Sequence, residues 1–257
     1  MDMPRTFITS REREVWERLH TVTDPELDEP VTDLQFVSRA DVDARDCVHI
    51  DFRLPTYWCA ANFSFLMADD MRRAVQDLPW VKAVNVTLGE HMYADRINAG
   101  LKKGLSFQET FGDEADGDLD ALRQQFLVKA FQRRQEALLG HLVGAGHSAE
   151  ALTSLTLAEL DALDLDDEGA RLRSRYHERR HVAGAIAPAG FAFIDADGDL
   201  LQAETLSAYL RALRRIGVNA EFNGALCKGL LAVRFDIETP FIPRHIAERQ
   251  MTASAAS

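Results

Sequence analysis

The sequence predicts an α+β protein: a small mixed sheet with helices on one face, in the order helix, strand, strand, helix, strand, followed by a mainly helical part with a small sheet of its own. Three observations carry this. Val48, Ile50, Phe52 and Leu54 alternate with Cys47, His49, Asp51 and Arg53, the period of a strand with one buried face. Directly after Pro55, residues Phe63, Leu66, Met67, Met71, Ala74, Val75 and Leu78 recur at helical spacing as an apolar stripe. A chain of 257 residues is also long enough for two ordinary domains with proper cores. The acidic, glycine-containing stretch 112–120 lacks apolar periodicity and divides a domain at 1–111 from an extension at 121–249, with a disordered tail expected at 250–257.

The first helix is expected over 11–20, with Val15, Trp16 and Leu19 on one side. Two prolines close it off in the loop 23–30, where four carboxylates crowd a short connection. Leu34 and Phe36 alternate in a short strand over 33–37, and a turn at 40–45 pairs it with the Val48 strand as a hairpin. Pro79 ends the second helix, and Val81, Ala83, Val84, Val86 and Leu88 form the third strand. In the second half, 119–142 reads as one amphipathic helix that Gly144 and Gly146 end. Thr156 and Glu159 have the spacing of a capping box, and 167–181 is a very basic helix. Strands are expected at 191–194 and 229–235, a helix at 204–216, a turn at Asp197-Gly198 and a loop at 223–229.

The formal net charge of −12 argues against nucleic acid and anionic membrane as partners, because both need concentrated Lys and Arg. No apolar run approaches the roughly twenty residues that span a bilayer. Cys47, Cys59 and Cys227 are odd in number, show no C-x-x-C pairing, and follow a polar N-terminus without signal-peptide character. A reducing, cytoplasmic setting is the expectation.

Cys59 is the residue with the clearest chemical content. It is expected at or just before the start of the second helix, where unpaired N–H groups and the helix dipole favour thiolate over thiol. Such a sulfur serves as nucleophile or metal ligand, although a small buried hydrophobe beside Tyr57 and Trp58 is the blander alternative.

The loop Asp24-Pro25-Glu26 after the first helix, the strand Asp33-Leu34-Gln35-Phe36-Val37, and the turn Pro55-Thr56-Tyr57-Trp58-Cys59 before the second helix together resemble the SufT and PaaD-like metal-sulfur cluster assembly family over about residues 11–90. In that family the matching elements are a D-P-E loop, a D-L-G-h-V strand and a T-x-x-x-C-P turn whose single cysteine is the functional residue. Here Gln35 replaces the glycine, Ala60 replaces the proline, and Thr56 and Cys59 stand one residue closer. The continuation His91-Met92-Tyr93-Ala94-Asp95-Arg96-Ile97-Asn98-Ala99-Gly100 resembles the longer members found beside soluble di-iron monooxygenases such as propane monooxygenase. The resemblance implies a maturation factor, not an enzyme, that passes iron or an iron-sulfur cluster transiently to a client metalloprotein, with a di-iron monooxygenase as client. It implies Cys59 as the functional thiol, with Asp24, Glu26 and Thr56 in support; a homodimer is compatible with it.

Coordination chemistry limits that role. An iron-sulfur cluster normally takes four protein ligands, usually thiolates, so Cys59 alone cannot hold one. Asp24, Glu26 or His49, a second subunit or a small-molecule thiol would complete the set, and carboxylate or imidazole also suits iron alone.

Three further motifs compete. His177-Glu178-Arg179-Arg180-His181 has the spacing of H-E-x-x-H, in which two histidines four apart hold zinc and the glutamate acts as base; a zinc hydrolase through His177, Glu178 and His181 is the rival function. The neighbouring Arg173, Arg175, Arg179 and Arg180 would repel a dication, so an exposed basic helix is expected instead. Asp195-Ala196-Asp197-Gly198-Asp199 lacks the register of an EF-hand and reads as a turn. Cys227 reads as a partly buried thiol without a role. A non-catalytic subunit of an oxygenase complex is the remaining alternative.

Overall fold

The computed structural model describes residues 9–115, 118–184 and 187–236. They fall into two compact units, one gathering the chain up to Leu119 together with the segment from Phe222, the other comprising Asp120–Glu221. The tail expected at 250–257 lies outside the described residues.

The first unit opens with α1 (Ser10–His20), started by a reciprocal capping box between Thr9 and Glu12 and burying Val15 and Leu19. The sheet contains β1 (Val37–Val42), β2 (Cys47–Phe52) and β3 (Ala83–Leu88) in that order, β1 antiparallel to β2 and β2 parallel to β3. The helix α2 (Ala61–Gln76) makes the parallel crossover. Val48, Ile50 and Phe52 of β2 and Val86 and Leu88 of β3 face a core shared with Val15, Leu19, Phe65, Met71 and Val75. The other face of β2, carrying Cys47, His49 and Asp51, is half-buried, as the alternation requires. Two short helices follow, α3 (Ala94–Lys103) and α4 (Phe107–Phe111). Arg96 then ties down the first residues of the acidic stretch through the Thr110 and Phe111 carbonyls and Glu114.

The first strand lies later than the alternation of Leu34 and Phe36 suggests. Gln35 adopts a left-handed φ of 58°, which turns the chain, and regular pairing begins only at Val37, opposite Phe52. Leu34 and Phe36 are buried as expected, but in the turn that enters the strand.

The second unit is helical: α5 (Leu119–Gly144), α6 (Ala149–Ser154), α7 (Leu157–Ala162), α8 (Asp167–Arg180) and the first part of α9 (Leu206–Phe235). The capping box of Thr156 with Glu159 starts α7. Tyr176 is fully buried among Phe131, Leu138 and Phe193. Its hydroxyl lies 2.6 Å from the Ala192 carbonyl. The segment at 191–194 is extended but makes isolated bridges, Thr156 with Phe191 and Ile194 with Leu200, and not a sheet. Asp195–Asp199 is the turn expected: Asp195 Oδ1 accepts the N–H groups of Asp197 and Asp199 at 2.9 and 2.8 Å.

Residues 223–235 are neither loop nor strand; they continue α9. Periodicity over 229–235 is too short to separate the two, and the buried contact is at helical spacing: Gly224, Cys227, Leu231 and Arg234 pack within the first unit, to which the helix belongs from Phe222 onward. No helix of the described residues is long and apolar enough to cross a membrane.

Candidate functional site

Cys59 stands directly before Ala60, the N-cap of α2, after the chain has left β2 and turned at Pro55. Thr56 Oγ1 and Cys59 Sγ share a hydrogen bond of 3.0 Å. The Cys59 carbonyl is held by His91, whose Nε2 lies 2.8 Å away. His91 Nδ1 accepts the Tyr93 N–H at 3.1 Å, so Nε2 carries the proton and the ring is neutral in this arrangement. Burial, then the approach of Arg234, holds the His91 imidazole below its ordinary value against the opposing hydrogen bond to Cys59. Beside the thiol, Trp58 is 72% and Tyr57 53% exposed, and the Met92 N–H donates to the Tyr57 carbonyl at 2.9 Å.

The acidic loop is built to present a fixed shape. Asp24 Oδ1 accepts the N–H groups of Glu26 and Leu27 at 2.9 and 2.8 Å, and the Asp24 N–H donates to the Glu29 carbonyl at 2.9 Å. This closes a turn around two prolines that permit no helix. The second part of α9 packs on that loop. Asn223 Nδ2 donates to Glu26 Oε1 at 2.8 Å, Lys228 pairs with Glu29, and Arg234 donates to the Leu54 carbonyl at 3.1 Å. Gly224 faces Leu27 across this contact, where an added Cβ would stand at an ordinary packing distance of 3.5 Å.

Between these anchors the helix carries Cys227. Burial first, then the charges of Asp24, Cys59 and Glu26, push its thiol up to about 11. Cys227 thus lies within electrostatic reach of Asp24, Glu26 and Cys59, and Thr56 is hydrogen-bonded to the Cys59 sulfur. Cys227 and His91 are the members that sequence reasoning missed. Their signal was weak, because Cys227 is remote in sequence and contributes through a helix that reads locally as loop and strand.

His49 is not part of this neighbourhood. It lies on the open face of the sheet, where Asp43, Cys47 and His49 bring one ligand atom each to within 4.8 Å of one another. Among the described residues no comparable group includes Cys59. The Cys59 neighbourhood is an open set of donors, not a closed cage.

In the second unit, the glutamate of the H-E-x-x-H motif is already engaged. His177 Nε2 is 2.7 Å from Asp161 Oδ1, Glu178 pairs at 2.6 Å with the buried Arg134, and His181 lies beyond the end of α8 in a short 3-10 turn. Glu178 is thus the counter-ion of a buried guanidinium, a position ill-suited to a general base.

No curated protein shows significant similarity to the chain. Residues 12–88, from α1 to the end of β3 and including Asp24, Glu26, Thr56 and Cys59, match the family of the iron-sulfur cluster assembly protein.

Proposed function

We propose that this protein is a maturation factor that takes iron or an iron-sulfur unit as cargo on Cys59 and passes it to a client metalloprotein. The observation that carries the reading is the place of Cys59: a thiol before a helix start, hydrogen-bonded to Thr56, inside the stretch that matches the assembly family. The donor types fit the cargo. Thiolates suit iron-sulfur units, and carboxylates suit iron itself. Cys59 and Cys227 offer two sulfurs where a cluster takes about four ligands, so cargo would complete its coordination with its own sulfide, a small thiol or the client. An incomplete, open donor set favours passage over storage.

The client of this reading is a di-iron monooxygenase of the propane monooxygenase type, as the resemblance of residues 91–100 implies. The exposed Tyr57, Trp58 and Met92 around the thiol support a protein client, because an aromatic rim at a functional atom is what a docking partner covers. The second unit serves client recognition in this proposal, and the setting is the reducing cytoplasm, in keeping with three unpaired thiols.

The test is anaerobic reconstitution of the full chain with ferrous iron and sulfide. Wild type is expected to gain thiolate-to-iron absorption that Cys59→Ser loses and Cys47→Ser keeps. Equal iron and equal absorption in Cys59→Ser would remove the basis of the reading.

A further inference from the structure

The open face of the sheet carries a second set of metal-type donors that the Cys59 neighbourhood does not use. Cys47 and His49, two apart on β2, project to the same side. The turn joining β1 to β2 returns Asp43 to them. Asp43 Oδ1 is committed, accepting the N–H groups of Arg45 and Cys47 at 2.8 and 2.9 Å. That fixes the carboxylate with Oδ2 aimed at His49, 3.6 Å from Nε2. The turn itself closes through the Asp43 N–H on the Cys47 carbonyl at 2.9 Å. From β3, Asn85, opposite His49 in the register, donates through Nδ2 to Cys47 Sγ at 3.1 Å.

We infer that Asp43, Cys47 and His49 form a binding site for a divalent cation of the zinc class, separate from the Cys59 neighbourhood. One sulfur, one imidazole nitrogen and one carboxylate oxygen make a donor set of intermediate softness, which selects zinc-like ions over calcium or magnesium. The ligand atoms lie within 4.8 Å of one another. Around a tetrahedral zinc, with metal–ligand bonds of about 2.0–2.3 Å, ligand atoms stand roughly 3.3–3.8 Å apart. Rotation of the Cys47 and His49 side chains covers that difference.

The surrounding contacts are those that orient ligands: backbone N–H groups on the carboxylate and an amide N–H on the sulfur. Two neighbours bear on the charge balance. Arg45 approaches Asp43 Oδ2 at 3.7 Å, but its side chain is 89% exposed and free to swing into water. Asp41, opposite His49 across β1, is engaged by Arg39 at 2.8 Å. Three protein ligands leave a fourth position for water, so the site is exchangeable. Burial and the charge of Asp43 raise the Cys47 thiol above its ordinary value, and a bound dication offsets both. The site is also distinct from Cys59: Cys47 opens β2, and Cys59 comes after the strand's other end at Phe52.

The test uses the full chain carrying Cys59→Ser and Cys227→Ser, so that Cys47 is the remaining thiol, titrated anaerobically with Co²⁺. One equivalent is expected to bind with a near-ultraviolet thiolate-to-cobalt band that Zn²⁺ displaces. Adding Cys47→Ser should abolish the band, and adding His49→Ala or Asp43→Asn should weaken binding at least tenfold. A folded parent chain without the band, or a band indifferent to His49→Ala and Asp43→Asn, overturns the site. A second measurement needs no parent variant: in the wild-type chain freed of metal, Zn²⁺ alone should slow alkylation of Cys47 at least tenfold by peptide-resolved mass spectrometry, and His49→Ala should remove that protection. Unchanged Cys47 labelling with Zn²⁺ overturns the proposal equally.

Discussion

At the residue scale, the three thiols are distinguished by their surroundings. Cys227 is pushed up to about 11 and Cys47 is raised by burial and Asp43, which makes both harder to ionise. Cys59 shares a hydrogen bond with Thr56 beside an exposed Trp58. We expect Cys59 to be alkylated first at neutral pH in metal-free protein. Peptide-resolved labelling rates check the order, and faster reaction at Cys47 or Cys227 would show that these surroundings do not control reactivity. His91 gives a pH prediction. Its folded-state value is lowered, so the folded protein binds fewer protons here than the unfolded chain, and its contribution to stability is complete above the ordinary imidazole value of 6.5. It declines as pH falls from there through the lowered folded value. Urea midpoints at pH 7.5 and pH 5 should fall more for wild type than for His91→Gln.

Two residues that depart from the family pattern show how much was legible at this scale. Gln35 stands where the family has glycine, and its φ is 58°, the left-handed region glycine prefers; Ala60 stands where the family has proline, and its φ is −58°, the value proline fixes. The backbone thus takes the conformations that glycine and proline favour although neither residue is present. We predict that Gln35→Gly stabilises the protein by about 0.5–1 kcal/mol, because the left-handed cost of roughly 1–2 kcal/mol outweighs the entropy cost of glycine. Thermal unfolding of the single variant checks it; a loss of stability would mean that Gln35 makes contacts worth more than that strain.

At the element scale, local rules were read correctly where one rule acted alone. The period-two run of β2, the stripe of α2 and the Thr156–Glu159 cap are all where the residues put them. They failed where tertiary packing decided. Residues 229–235 are apolar enough for a strand, yet they continue α9 because Leu231 and Cys227 reach the first unit's core only at helical spacing. The second unit depends in the same way on one buried polar junction. Tyr176, Gln135 and Arg180 together satisfy the carbonyls of Ala192, Phe191 and Ile194. Removing the hydroxyl with Tyr176→Phe should cost about 1–2 kcal/mol, since it leaves buried acceptors underpaired. Denaturant unfolding measures this, and a neutral effect would show that Arg180 alone suffices for Ala192.

At the scale of the whole molecule, the candidate site draws on both ends of the sequence. Asp24, Glu26 and Cys59 come from the first 60 residues, and Cys227 arrives on a helix that starts in the second unit. No reading of local pattern could join them, because the contact is set by Asn223 on Glu26, Lys228 on Glu29 and Arg234 on Leu54. A chain truncated after Gly117 would lack those contacts as well as the second unit. It should melt below the full protein and leave Leu27 uncovered. If its melting temperature equals that of the full chain's first unit, the α9 contacts contribute nothing to that unit.

Whether assembly chemistry runs through Cys59 is measured by the iron content of the proposed di-iron monooxygenase client co-expressed with either the wild-type chain or Cys59→Ser. The variant is expected to form the complex with the client while the client's iron falls to the level seen without the factor. A client loaded as fully by Cys59→Ser as by wild type would contradict it.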